Sequence, residues 1–258
     1  MAEGPIAPDL NLNWPAPPSA LFLGLREVHV WGTILNSGPD RLGRYASILS
    51  EDEKKRAARF RFERDQNRFT VARGFLRTVL GRYLKMDPAE ITFSYSDRGK
   101  PALNAPSSNP LHFNLSHSHD LALLAVTEIC PVGVDVEQIR TLRDADAIAD
   151  RFFSERESSA LRALPPEQKP IGFFNLWTRK EAWLKATGEG ISDSLDKVEV
   201  SLHPHEPAKF LGLFGKAETA AGWTLVDLAP GTGYKGALAL EANDINLKCW
   251  AEGILAGK

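Results

Sequence analysis

Two cysteines, Cys130 and Cys249, are all that this 258-residue chain carries. They set out no disulfide framework and no metal-ligand spacing, so a reducing compartment is the natural reading, with a single bridge between them left open. Long apolar runs are missing as well: no stretch of about 18 apolar residues offers a membrane-spanning helix. The first residues carry neither the basic region nor the apolar core of a signal peptide, which gives the expectation of a cytoplasmic protein. Positive charge is not in excess. Lys and Arg number 31 against 33 Asp and Glu, a formal net charge of −2, which argues against a general binder of nucleic acid or membrane surfaces. Neither a GxxxxGK[ST] phosphate loop nor a dinucleotide fingerprint of the strand–GxGxxG–helix kind is present.

What remains is an average soluble composition, 43% hydrophobic and 25% charged, with apolar material for one large domain or two of ordinary size. Residues 1–20 are rich in proline (Pro15, Pro17, Pro18) and read as an irregular arm, lying along the surface or disordered. The first strand signal is Glu27 to Leu35, where Val28, Val30 and Ile34 alternate. Ser50 with Glu53 is a capping box that starts a helix. A second helix, Asp65 to Leu84, carries Phe69, Ala72, Phe75, Leu76, Val79 and Leu80 at helical spacing. A strand from Ile91 to Tyr95, a turn at SDRGKP and a loop at LNAPSSNP come next. They lead to a short strand, a polar turn at Ser116 to Asp120, and the strand Leu121 to Thr127. The strand VGVDVE follows, then a helix over Arg143 to Phe153 and a second capping box at Ser154 and Glu157. After Pro165, Pro166 and Pro170 comes a helix over Phe173 to Ala186, which Gly188 and Gly190 end. The stretch Lys197 to Trp250 alternates and predicts strands at VEVSL, AKFLGLF, WTLVDLA, YKGALALEA and LKCWAE.

At an offset of about 104 residues the chain echoes itself. Val28 to Ile34 falls on the VGVDVE strand, and Ser50 and Glu53 fall on Ser154 and Glu157. With a two-residue slip, ARGFLR from Ala72 falls on TRKEAW from Thr178, and Ile91 to Tyr95 then meets Val198 to Leu202. The expectation is an α+β fold of two similar halves, residues 21–127 and 128–258, related by a pseudo-two-fold axis with a ligand cleft between them. The halves differ chemically. Opposite Asp135 and Glu181 stand Trp31 and Phe75, so a metal site would belong to the second half while the first supplies binding groups.

The chemistry gathers between Val132 and Lys185. In a strand Asp135 and Glu137 share one face, and on a helix Glu181 and Lys185 lie one turn apart. Three carboxylates beside a lysine suit a hard divalent cation such as Mg²⁺ holding a polyphosphate, because carboxylates packed together without a cation repel. Each part also has a plainer reading: a pair of charges on the solvent face of an edge strand, an exposed Glu–Lys helix pair, a generic hairpin turn at Gly99 and Lys100, and a solvated run of arginines through Arg56. In FNLSHSH, Ser116 and His117 donating to a phosphate is the economical reading. His112, His117 and His119 offer zinc no third ligand at a convincing spacing.

Taken together and in order, GVDVE at Gly133 to Glu137, WTRKEAWLK at Trp177 to Lys185, RGKP at Arg98 to Pro101, FNLSHS at Phe113 to Ser118 and the run through Arg56 and Phe60 resemble the 4′-phosphopantetheinyl transferases. The likeness is to their larger monomeric class, typified by the enzyme that activates surfactin synthetase, and it covers about Ile48 to Val200. It implies transfer of the phosphopantetheine arm of coenzyme A to a serine of an acyl or peptidyl carrier protein, releasing 3′,5′-ADP. On that resemblance Asp135, Glu137 and Glu181 hold Mg²⁺ against the pyrophosphate. Arg56, Arg98, Gly99, Lys100, Ser116 and His117 bind the phosphates of coenzyme A and flank its adenine. Lys185 contacts the pyrophosphate and supports the leaving group, and Glu181 accepts the serine proton, directly or through a metal-bound water. Two other functions compete: a carrier-protein or nucleotide-binding module without catalysis, and a Mg²⁺-dependent phosphohydrolase that attacks with water. The proline-rich arm is not required by these motifs.

Overall fold

A strand, three helices, a short hairpin and a longer hairpin follow one another twice along the chain, in a computed structural model that describes residues 12–104, 110–189 and 195–252. The first series is β1 (Glu27–Ile34), α1 (Pro39–Ser47), α2 (Glu51–Ala57), α3 (Glu63–Leu84), the pair β2 (Phe93–Tyr95) and β3 (Pro101–Leu103), and the pair β4 (His112–Ser118) and β5 (Leu121–Thr127). The second is β6 (Val132–Gln138), α4 (Ala145–Phe152), α5 (Glu155–Ala163), α6 (Lys169–Thr187), the pair β7 (Val198–Val200) and β8 (Phe210–Leu213), and the pair β9 (Thr224–Leu228) and β10 (Tyr234–Leu240). A last strand, β11 (Asn246–Glu252), closes the chain. Among the described residues, no helix is long and apolar enough to cross a membrane.

Strand order repeats with element order. β1, β5 and β4 pair antiparallel in that sequence, and so do β6, β10 and β9. β11 joins the first sheet, parallel to β1, with Glu27 opposite Asn246 and Thr33 opposite Glu252. Each sheet is covered on both faces, and the central strands β5 and β10 read as nearly continuous apolar runs. On the first sheet, Val71, Phe75, Leu76 and Val79 of α3 pack against Trp31, Leu124 and Val126. On the second, Leu176, Trp183 and Leu184 of α6 pack against Ala237 and Ala239. A third core joins the sheets to each other, with Val28, Val30, Leu121 and Leu123 facing Val132, Val134, Val136 and Leu238.

The two capping glutamates also have similar partners. Ser50 N–H donates to Glu53 and Ser154 N–H to Glu157, starting α2 and α5. Both glutamates are 2% exposed, and a buried carboxylate needs a charged partner. Glu53 takes Arg77 of α3 at 2.6 Å, and Arg77 also donates to the carbonyls of Pro88 and Ile91, each at 2.9 Å. Glu157 takes Lys180 of α6 at 2.6 Å, and Lys180 donates to the carbonyls of Leu195 and Val198 at 2.6 and 2.5 Å.

Two local expectations need correction, and the two readings of the arm are decided. The polar turn placed at Ser116 to Asp120 is shorter: β4 continues through Ser118, and the two-residue loop is His119 and Asp120, with His119 at φ 51°. Such loops need a positive φ, which a polar residue tolerates. The helix expected from Phe173 begins at Lys169, because Pro170 lies in its first turn, where the missing N–H costs nothing. Of the two readings of the arm, residues 12–20 follow the surface-lying one: they are irregular and mostly exposed, and are anchored at Leu12. Leu12 is 3% exposed in the core between the sheets, Asn13 N–H donates to the Pro230 carbonyl, and Pro15 O accepts from Ala251 N–H. Residues 1–11, Gly190 and the middle of the LNAPSSNP loop lie outside the described residues.

Candidate active site

Gly133 decides how the site is built. A Cβ there would fall 1.9 Å from the carbonyl oxygen of Ala182 and 2.4 Å from the amide nitrogen of Ala186, so only glycine lets α6 lie this close on β6. The close approach brings the helix carboxylate of Glu181 to the strand face that carries Asp135 and Glu137. Asp135 is 3% exposed and Glu181 7%. Asp135 Oδ2 and Glu181 Oε1 are buried without a hydrogen-bond partner, which is costly for a carboxylate oxygen left as it is.

The charges register one another. Burial pushes the Glu181 carboxyl up to about 7, with the neighbouring Asp135 charge adding to it, Lys185 opposing, and Glu137 adding further. Glu137 is raised mainly by burial and eased by the Ser118 hydroxyl. Lys185 Nζ lies 2.6 Å from Asp135 Oδ1 and 2.8 Å from Ser116 Oγ, and Ser116 donates to the same Asp135 oxygen at 2.9 Å. Among the described residues no group of three or more Asp, Glu, His or Cys is disposed to hold a metal ion as it stands. The donor set still suits a hard divalent cation, being all carboxylate oxygens with two of them orphaned.

A cavity of about 280 Å³ opens beside these groups, lined by Arg98, Gly99, Lys100, Asn114, Glu181 and Lys185 among others. One wall comes from the β2–β3 turn and β4, the other from the C-terminal half of α6 and the residues after it. Arg98 and Lys100 cross it: Arg98 Nη1 donates to Gly188 O at 3.3 Å, and Lys100 Nζ donates to the Lys185 carbonyl. These are end-of-helix carbonyls, where cations are favoured. Burial lowers the Lys100 pKa. Gly99, at φ 78°, makes the turn that presents both cations.

Of the residues singled out in the sequence, Arg98, Gly99, Lys100, Glu181 and Lys185 thus line one cavity, with Asp135 and Ser116 bonded to Lys185 at its side. His117 is exposed on β4 next to Ser116, and the protein around it and the Lys185 charge hold its pKa below the ordinary value. Arg56 is not among the cavity residues; it is exposed on α2 with its guanidinium over the Phe69 ring at 5.7 Å. Sequence reasoning passed over Gly133, although a glycine inside a strand pattern is a signal of close backbone approach. It also passed over Asn114 and Ser118, whose period-2 spacing with Ser116 puts all three on one side of β4.

A family model described as 4′-phosphopantetheinyl transferase superfamily matches residues 131–239, and one described as 4′-phosphopantetheinyl transferase, N-terminal, matches residues 37–129. Over 243 residues the chain is 43% identical to the 4′-phosphopantetheinyl transferase HetI of Nostoc sp., covering 93% of this chain and 99% of that protein. It is 33% identical over 160 residues to the 4′-phosphopantetheinyl transferase Sfp of Bacillus subtilis, covering 62% and 69%. It is 30% identical over 190 residues to the L-aminoadipate-semialdehyde dehydrogenase-phosphopantetheinyl transferase of Homo sapiens, covering 70% and 61%.

Proposed function

Because the chain belongs to the 4′-phosphopantetheinyl transferase superfamily, we propose that it moves the 4′-phosphopantetheine arm of coenzyme A onto a serine of an acyl or peptidyl carrier protein, with Mg²⁺, and releases 3′,5′-ADP. The observation that carries this reading is the cavity in which two cations of the β2–β3 turn, Arg98 and Lys100, meet Glu181 and Lys185 of α6 beside buried Asp135. Cations on one wall and carboxylates on the other suit a pyrophosphate held through a metal ion.

Asp135, Glu137 and Glu181 would hold the Mg²⁺. When bound, the ion supplies Lewis-acid neutralisation of the pyrophosphate and a template for in-line attack. The protein groups do the rest. Arg98, Lys100, Ser116 and His117 bind the phosphates and fix the reacting phosphorus, with Gly99 shaping the turn and Arg56 reaching an outlying phosphate or the adenine. The carrier serine oxygen forms the new bond to phosphorus as the bridging bond to 3′,5′-ADP breaks, and the electron pair leaves on that oxygen, where Lys185 stabilises it. Glu181 takes the serine proton. Phosphoryl transfer of this kind asks mainly for alignment and neutralisation of developing charge.

We read residues 21–127 and 128–258 as two α+β halves related by a pseudo-two-fold axis, with the active site in the cleft between them. The repeated element order, the repeated strand order and the paired Glu53–Arg77 and Glu157–Lys180 sites support this. A cytoplasmic monomer is the natural setting for an enzyme meeting coenzyme A and a carrier protein. Asp135→Ala and Glu181→Ala test the site: each is expected to abolish labelling of an apo carrier protein by coenzyme A with the thermal transition preserved. Full labelling by either variant would sink the assignment.

A further inference from the structure

β4 and β6 run side by side but belong to different sheets. Their seam is closed by side chains where a backbone ladder would otherwise stand. Three alternate residues of β4 make it. Asn114 Oδ1 accepts from Val134 N–H at 2.9 Å, Ser116 Oγ donates to Asp135 Oδ1 at 2.9 Å, and Ser118 Oγ donates to Glu137 Oε2 at 2.6 Å. All three are buried, at 5 to 7% exposure.

The hydrogen-bond inventory makes Ser118 specific. A serine hydroxyl has one proton to give and two lone pairs to receive. Gln138 N–H, which can only donate, points at Ser118 Oγ at 3.2 Å. The side-chain nitrogen Nδ1 of His119 lies 3.3 Å away and can donate in the tautomer that protonates it. With its acceptor side filled from the backbone, the hydroxyl proton is directed to Glu137. A carboxylate's terminal torsion is otherwise broad, and the nearest cation, Arg140, is 3.9 Å from the same oxygen. Ser118 is therefore the close partner that arrests the Glu137 head group.

We propose that Ser118 is a positioning residue for Glu137: a first-series side chain that fixes the orientation of a second-series carboxylate for cation binding. This rests on the Mg²⁺ reading above. Residues that orient a metal-binding carboxylate typically change affinity or activity by about 10- to 100-fold when removed. Ser118 would act through the affinity for the ion; it does not touch the reacting atoms.

The test is Mn²⁺ binding to the full-length protein with coenzyme A present, read by the electron paramagnetic resonance of free Mn²⁺, beside the Mg²⁺ dependence of carrier loading. Ser118→Ala is expected to weaken Mn²⁺ binding by roughly 10- to 100-fold and to raise the half-maximal Mg²⁺ concentration in parallel, with kcat recovering at saturating Mg²⁺. Ser118→Thr, which keeps the hydroxyl, is expected to bind Mn²⁺ like the parent. In a Glu137→Gln background Ser118→Ala should add no further loss, a non-additivity that general unfolding would not produce. Equal Mn²⁺ affinity for Ser118→Ala and the parent overturns the proposal, and so does an equal loss in the Thr variant. A parent protein that binds no Mn²⁺ overturns the metal assignment itself, and the positioning role with it.

Discussion

Gly133→Ala tests whether the approach of α6 to β6 sets the site. The new Cβ would lie 1.9 Å from Ala182 O, 2.4 Å from Ala186 N and 2.9 Å from the Lys185 carbonyl carbon. Ordinary contact begins near 3.4 Å, so the helix must withdraw by about 1.5 Å. All three obstacles are backbone, and no rotamer change can relieve them. Alanine would by itself stabilise a strand by roughly 0.5–1 kcal/mol over glycine. Overpacking typically costs about 1–3 kcal/mol and here acts on a rigid backbone, so the clash wins. The segment displaced carries Glu181 and Lys185, and a misplacement of about 1 Å can cost roughly 100-fold in rate. The expected result is a lower thermal midpoint and a fall of about 100-fold in carrier loading at saturating coenzyme A, measured on purified protein well below its transition. A variant with the parent's rate and midpoint would refute the reasoning.

Other outcomes follow from the same geometry. The Glu181 carboxyl titrates near 7 against an ordinary value of 4.5, so without metal the folded state holds an extra proton between those values. Its contribution is fully present below about 4.5 and is lost as pH rises through about 7. The metal-free unfolding free energy should fall over that window by at most roughly 3 kcal/mol, a loss that Glu181→Gln removes. Lys180→Met would leave Glu157 buried beside no cation, and equilibrium unfolding should show a loss of about 3–5 kcal/mol; a loss under 1 kcal/mol would mean that water or another group replaces the lysine. Leu12→Ala should cost about 2–5 kcal/mol in denaturant, whereas an arm lying loosely on the surface would give no measurable change.

The two long helices were legible because apolar residues recur at helical spacing along them, although both are buried on most sides, and both capping boxes were legible because Ser-x-x-Glu has a local mechanism. The echo between Ser50–Glu53 and Ser154–Glu157 gave the expectation of two similar halves; the structure repeats the element order and the strand order along the chain. Pro170 misled by one turn, since proline at a helix start and proline before a helix look alike in sequence. The polar run of β4 read as a turn because Ser116, His117 and Ser118 lack an apolar partner in sequence; the partners of the two serines are carboxylates about twenty residues on. Asp135, Glu137 and Glu181 were singled out in the sequence, but Gly133, a strand glycine that signals close backbone approach, was not, because which element lies on it is set only by the tertiary fold. Leu12 escaped notice because one leucine in a proline-rich stretch carries no period, and its burial depends on both sheets.

The most direct measurement follows coenzyme A and an apo carrier protein together in Mg²⁺, by mass spectrometry of the carrier and chromatography of the nucleotide. The account predicts that 3′,5′-ADP appears in step with a phosphopantetheine adduct on the carrier serine, and that neither appears when that serine is replaced by alanine. Coenzyme A cleaved at the same rate without an acceptor serine would instead mark a hydrolase, and would contradict the account.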